Sequence, residues 1–142
     1  MTVPLDYELA SRKFIEFLVD VRDVSGLWST HVSYTMVEGV FRVFRRRLSV
    51  EQAIRFCNVL PVCLRAFFVS DWNTAEPTKG FDDLEAMNAE VRTLRAQHNF
   101  ATDQAIQQVA TALRRCVIEE EFNRVLAEIS REALAFWSAL DK

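Results

Sequence analysis

The chain has 142 residues, of which 50% are hydrophobic and 26% are charged, a globular composition that excludes disorder and fibrous repeats. Three glycines and three prolines are too few for a turn-rich all-β fold. Seventeen basic residues against 20 acidic ones give a net charge of −3, which is too weak to indicate a strongly charged partner.

Apolar residues recur every three or four positions along nearly the whole chain, which predicts helices. The first helix ends at Gly26, where glycine supplies a left-handed cap. Ser29 is the expected N-cap of the second helix. Ser49 and Gln52 predict a capping box that opens the third helix, and Pro61 suits the start of the fourth.

The polar segment 73–80 predicts a connector between two sets of helices. After this connector, Asp82 and Glu85 predict a capping box for a fifth helix. Thr102 is expected to cap a sixth helix and Ser130 an eighth, with the seventh between them. Because no segment alternates in the manner of a strand, the predicted fold is all-α.

The second half of the sequence repeats the first at an offset of 69 residues. Residues 36–68 align on 105–137 without a gap, with seven identities in 33 positions. Matched apolar positions arise between any two amphipathic helices, but a matched outward arginine, such as Arg45 with Arg114, is harder to explain by chance. We therefore interpret the two halves as copies of one four-helix unit.

This interpretation gives a single domain, residues 1–142, made of two four-helix repeats packed as one pseudo-two-fold helical bundle. The repeat halves are 1–72 and 81–142, and the connector 73–80 joins them. A unit of about 70 residues is only marginally stable alone, so we expect the halves to share one core.

Short motifs of the first half follow a recognisable order. They are Phe17-Leu18, Val21, Gly26-Leu27, Arg47-Leu48, Leu60-Pro61, Leu64-Arg65, Phe67-Phe68 and Trp72. This order resembles the bacterial family of uncharacterised proteins catalogued as domain of unknown function 2267, whose members are two-fold repeats. The resemblance covers roughly residues 7–140, and it implies an all-helical bacterial protein with no established activity.

The sequence lacks the motifs of several chemistries. It has neither a glycine-rich phosphate loop nor a nucleophile elbow. The two histidines, His31 and His98, have no His or Cys at ligand spacing, and the three cysteines are expected to be buried free thiols. We therefore predict no catalytic, cofactor-binding or metal-binding residues and no cofactor.

The start of the sequence shows no signal-peptide pattern. The longest stretch without a charged residue, 24–37, is too short to span a bilayer. These features predict a cytoplasmic protein that does not enter membranes.

The sharpest basic feature is a helical stripe formed by Arg42, Arg45 and Arg46. One interpretation is a patch for an anion or a nucleic acid. The other is a solvated face on which Arg47 pairs with Glu51, four residues on. The acidic balance of the whole chain makes nucleic acid the less favoured partner.

Eleven phenylalanines and three tryptophans predict a thick aromatic core or an aromatic-lined pocket, and the stripe spacing favours the core. Trp72 is expected to clamp the two halves or to rim a groove between them.

The leading functional hypothesis is a non-enzymatic interaction or regulatory protein with an unidentified protein partner. The alternatives are a small-molecule-binding regulator with an apolar groove between the halves, and weak nucleic-acid binding through the arginine stripe. A homodimer is expected in each case, because two-fold dimers are the commonest way to cover a remaining apolar face.

Overall fold

The computed structural model describes residues 3–94 and 101–140, and within these ranges it contains nine α-helices and no strand, which confirms the all-α fold. The helices are α1 (Leu5–Glu8), α2 (Ala10–Ser25), α3 (Thr30–Arg45), α4 (Val50–Cys57), α5 (Val62–Val69), α6 (Leu84–Thr93), α7 (Ala105–Arg114), α8 (Glu119–Ile129) and α9 (Arg131–Phe136). The four-residue helix α1 lies outside the predicted set. The pseudo-two-fold relation between the halves stays a prediction.

Local caps set most helix boundaries, and four of them agree with the sequence. Gly26 ends α2 with a φ of 69°, in the left-handed region. Ser29 and Ser130 cap α3 and α9 by accepting backbone N–H groups. Ser49 and Gln52 form the reciprocal capping box at the start of α4.

The predicted capping box at α6 is wrong. The N-cap is Asp83, whose side chain accepts the N–H of Ala86 at 2.8 Å. Asp82 lies one residue before the cap and instead pairs with Arg47 of the first half at 3.1 Å. The carboxylate of Asp82, which the local pattern predicted to cap α6, therefore forms an ion pair with Arg47 instead.

The predicted cap of α7 is also wrong. The helix begins at Ala105, too late for Thr102 to be its N-cap. The carbonyl oxygen of the Asn88 side chain, on α6, accepts the N–H of Ile106 at 2.9 Å. Asn88 is 3% exposed, so one buried amide both satisfies the helix start and fixes α6 against α7.

The core is built around α3. Eleven of its 16 residues are buried, and it packs against α2, α5, α6 and α7. Seven of the largest buried side chains are aromatic: Phe41, Phe44, Phe56, Phe68, Phe122, Phe136 and Trp137. The ring of Phe44 lies 4.8 Å from that of Phe136 and 5.3 Å from that of Trp137. Aromatic residues of both halves therefore belong to one contiguous core. Most of them lie in this core and not around a pocket.

The cysteines are free thiols, but they are not all buried as predicted. Cys57 is buried, Cys63 is half-buried and Cys116 is exposed. Burial raises the pKa of Cys57 to about 11, and the nearby positive charge of Arg65 only partly opposes this. Cys57 is therefore a neutral thiol of the core at physiological pH.

Hydropathy gives one further result. Among the residues described, the helices are all too short or too polar to cross a bilayer.

Candidate functional site

A cavity of about 460 Å³ opens at the C-terminal end of α3. Its walls come from α3, from the start of α4 and from the link between α5 and α6, which contains the connector. We call it the arginine cavity, after Arg42, Arg45 and Arg46, which line it together with Trp72. The structure thus brings the four residues singled out by sequence into one lining.

Arg45 is the fixed member of the arginine cavity. Its Nη1 donates to the carbonyl oxygens of Phe68 and Ser70, both at 2.9 Å, and its guanidinium carbon lies 5.3 Å from the centroid of the Trp72 ring. Arg45 is only 7% exposed, so the solvated-face interpretation is wrong at this position. Burial, and next the positive charge of Arg42, lower the pKa of Arg45 from its usual value.

Arg42 and Arg46 are looser. The Nη2 atom of Arg42 lies 3.7 Å from Glu38 and 4.0 Å from Asp71, and the Nε atom of Arg46 lies 3.6 Å from Glu76. Charge-assisted hydrogen bonds between arginine and carboxylate are about 2.7–2.9 Å long. These longer contacts leave both guanidinium groups with donor capacity at the cavity.

Glu90, on α6, lies behind the arginine cavity as a hub of positive partners. Arg47 donates to both of its carboxylate oxygens, at 2.9 and 3.0 Å, and Lys79 and Arg46 donate at 3.1 and 3.3 Å. Burial by itself would raise the pKa of Glu90, but the hydrogen bonds from Arg47 and Lys79 outweigh it and lower the pKa to about 2. This Glu90 hub ties α3, α6 and the end of the connector together.

Arg47 does not pair with Glu51, as the solvated-face interpretation required. Its side chain is fully buried, and it donates to Glu90, to Asp82 and to the carbonyl of Val43. The sequence offered no local signal for this, since Glu90 stands 43 residues further along the chain.

Asp71 shapes the approach to the cavity. It follows the end of α5 with a φ of 53°, in the left-handed region that aspartate tolerates better than most residues. The turn brings Trp72 back over Arg45. The side chain of Asp71 is 87% exposed, so its carboxylate lies at the mouth of the cavity in contact with water.

The other sequence candidates lie elsewhere. His31 is exposed on the first turn of α3, and His98 falls outside the described residues. Glu119, Glu120 and Glu121 occupy the first turn of α8, where carboxylates offset the helix dipole. Within residues 3–94 and 101–140, no group of three or more His, Cys, Asp or Glu side chains is arranged to hold a metal ion.

Comparison with protein families gives one match. The model of the family described as "Uncharacterized conserved protein (DUF2267)" matches residues 14–136. The match runs from within α2 to the end of α9 and includes the arginine cavity. It confirms the resemblance found in the sequence motifs. A search of curated proteins found no significant match.

Proposed function

The chain belongs to the DUF2267 family of uncharacterized conserved proteins, and we propose that it is a non-enzymatic regulatory protein that binds an anionic ligand in the arginine cavity. The observation that carries this proposal is the convergence of Arg42, Arg45 and Arg46 on a cavity of about 460 Å³. Ligand sites typically have volumes of about 300–1,000 Å³.

Guanidinium chemistry supports an anion as the ligand. The planar fork of arginine matches carboxylate and phosphate groups and keeps its charge at physiological pH. Arg45 is already held by the carbonyls of Phe68 and Ser70, so binding next to it costs little further side-chain entropy.

The carboxylates at the cavity are suited to displacement. Glu76 lies 3.6 Å from Arg46 with its side chain 48% exposed, and Asp71 lies 4.0 Å from Arg42. Exposed ion pairs of this kind contribute little to stability. An incoming anion therefore replaces these two exposed contacts, while Arg42 keeps Glu38 at 3.7 Å and Arg46 keeps Glu90 at 3.3 Å.

This proposal develops the small-molecule alternative and gives it a polar cavity in place of an apolar groove. The aromatic residues that such a groove would need are packed in the core. Nucleic-acid binding through the stripe is less favoured, because Arg45 is buried and acidic side chains flank Arg42 and Arg46.

A cytoplasmic homodimer is part of the same proposal. Exposed apolar side chains such as Leu5, Tyr7 and Ile15 support self-association. Light scattering at high micromolar concentration tests it, with a dimer mass expected. A monomer mass at that concentration would contradict the homodimer and would leave the proposed ligand site unaffected.

The ligand site is tested by titrating inorganic phosphate into the ¹⁵N-labelled protein. We expect millimolar binding that moves the amide resonances around Arg42, Arg45 and Arg46, and a loss of at least about fivefold in affinity in Arg42→Gln, since a charged hydrogen bond contributes about that much or more. Arg55→Gln is the matched control, because Arg55 is exposed and pairs with Glu128 at 2.8 Å, away from the cavity. Equal effects of the two variants, or no binding by the wild type, would contradict the proposal.

A further inference from the structure

We infer that the ligand of the arginine cavity is a mononucleotide, with its phosphate on the arginines and its base on Trp72; this inference rests on the proposed function. The size of the cavity is the first argument. A cavity of about 460 Å³ falls within the range of about 300–1,000 Å³ that is usual for sites of small organic ligands. An inorganic anion alone fills only a small part of this cavity. The ligand therefore has a larger organic group attached to its anionic group.

Trp72 in the cavity lining indicates the chemistry of this organic group. Trp72 is half-buried and lines the cavity, and its ring is held by the guanidinium of Arg45 at 5.3 Å. A base stacks on aromatic side chains and on arginine planes alike. Since the Arg45 guanidinium lies over one face of the indole, the inferred base stacks on the other face.

The positions of the arginines relative to Trp72 fit one molecule that carries both groups. Arg42 lies in the last turn of α3 and Arg46 is its C-cap, a spacing of four residues that places both side chains on one face, so the inferred phosphate lies between them. Arg45 lies on the same face, next to Trp72. A phosphate held by Arg42 and Arg46 therefore leaves its base beside the indole.

The rim of the cavity supplies polar groups for the sugar between phosphate and base. Asn73, Thr74 and Thr78 line it. The side-chain oxygen of Asn73 accepts the N–H of Ala75 at 3.1 Å, and its amide nitrogen carries two hydrogen-bond donors. Threonine hydroxyls both donate and accept hydrogen bonds, as ribose hydroxyls require.

A single nucleotide fits the charges better than a nucleic-acid strand does. A strand repeats its negative charge at every nucleotide and needs a continuous positive track. Here the exposed carboxylates of Asp71 and Glu76 lie beside the arginines. Because Asp71 and Glu76 also line the cavity, a ligand with one phosphate meets less repulsion there than a strand with several.

The test compares AMP, ribose 5-phosphate and inorganic phosphate by calorimetry and by tryptophan fluorescence, in the 142-residue protein. AMP is expected to bind about tenfold more tightly than inorganic phosphate, the factor that one stacked base contributes, and ribose 5-phosphate is expected to fall between them. Trp72→Leu should remove the preference for AMP and keep the phosphate affinity. Trp72→Phe keeps a stacking ring and should keep the preference, and circular dichroism checks that both variants fold. Trp28→Leu, at a tryptophan that is 69% exposed and outside the cavity lining, is the control.

The outcomes separate this inference from the proposed function. Equal affinities for AMP and phosphate, with Trp72→Leu unchanged, would overturn the nucleotide and leave an anion site. Absence of binding by all three compounds would overturn both. A ten-nucleotide single strand that binds more tightly than AMP, with steep salt dependence, would replace the mononucleotide by a nucleic acid.

Discussion

At the end of α3, Arg45 donates a hydrogen bond to the carbonyl oxygen of Phe68 at 2.9 Å, and at the end of α7, Arg114 donates one to that of Trp137 at 2.7 Å. The two contacts correspond under the 69-residue offset, since Arg45 aligns with Arg114 and Phe68 with Trp137. The last carbonyl groups of a helix have no hydrogen-bond donor within that helix. In each case an arginine side chain donates to such a carbonyl, at the end of a helix rich in aromatic residues.

The surroundings of the two arginines differ. Arg114 also donates to Asn123 at 2.8 Å, lies 3.4 Å from Glu119, and sits 5.2 Å over the ring of Phe122. All three neighbours belong to α8, so these contacts of Arg114 join the end of α7 to α8.

Arg45 instead stacks on Trp72 and shares the cavity wall with Arg42. The position aligned with Arg42 is Thr111, whose hydroxyl bonds the carbonyl of Gln107 on its own helix. At the end of α7 the arginine is packed against α8, whereas at the end of α3 it lines an open cavity with two further arginines. The comparison teaches that two arginines at aligned positions differ in their surroundings, and the proposed binding role of Arg45 depends on those neighbours.

The largest expected effect comes from the Glu90 hub at the end of α3. Arg47 aligns with Cys116, and Arg47→Met is expected to lower the free energy of unfolding by about 3 kcal/mol, because it removes the buried member of the ion pair and leaves the half-buried Glu90 with fewer partners. Urea denaturation measures the change. Arg55→Met, at an exposed arginine, should stay within about 0.5 kcal/mol of the wild type. Similar losses in both variants would mean that the Glu90 hub is not a special feature of this helix end.

The second prediction separates the structural role of the two arginines from binding. Arg45→Met and Arg114→Met should each lower the free energy of unfolding by about 2 kcal/mol, since each leaves a carbonyl without its donor. Only Arg45→Met should weaken phosphate binding. If Arg114→Met weakens it as much, the contrast between the two helix ends fails.

The third prediction concerns acid. The pKa of Glu90 is about 2 in the folded protein against an ordinary value of 4.5. Between these values the unfolded chain binds more protons than the folded one, so stability falls as the pH drops. The contribution of Glu90 is fully present above pH 4.5 and is lost as the pH falls to about 2. Urea midpoints between pH 6 and pH 3 should therefore fall more steeply for the wild type than for Glu90→Gln; parallel curves would argue against the low pKa.

The smallest expected effect is a gain. Asp71→Asn removes a carboxylate that lies 4.0 Å from Arg42 and keeps a residue that tolerates the left-handed turn. Phosphate affinity should rise about twofold, a small factor because the pair is exposed and screened by solvent. Glu85→Gln, at an exposed glutamate on α6 outside the cavity lining, is the control. A weaker affinity in Asp71→Asn would mean that Asp71 helps to hold the anion.

The sequence was most informative where a structural effect acts over three or four residues. The caps at Ser29, Ser49 and Ser130 are of this kind, because each side chain bonds a backbone group three residues away. The all-helical fold and the inward stripes follow from the same short-range periodicity.

The burial of Arg45 and the pairing of Arg47 were missed, because their partners are fixed only by packing. The carbonyls that Arg45 reaches stand 23 and 25 residues away. One signal was nevertheless present in the sequence. Arg45 and Arg114 occupy aligned positions, and both donate to a carbonyl at the end of a helix rich in aromatic residues. The sequence singled out Arg42, Arg45 and Arg46 as one patch and Trp72 separately as the rim of a groove, and it did not predict that all four line one cavity.

The most direct test of the central claim is a single ¹⁵N–¹H correlation titration of the wild-type protein with inorganic phosphate. If the end of α3 binds anions and the end of α7 does not, the amides that move should cluster at residues 42–50 and 71–78, and those of 111–123 should stay in place. Comparable movement at both helix ends, or movement confined to 111–123, would contradict the account.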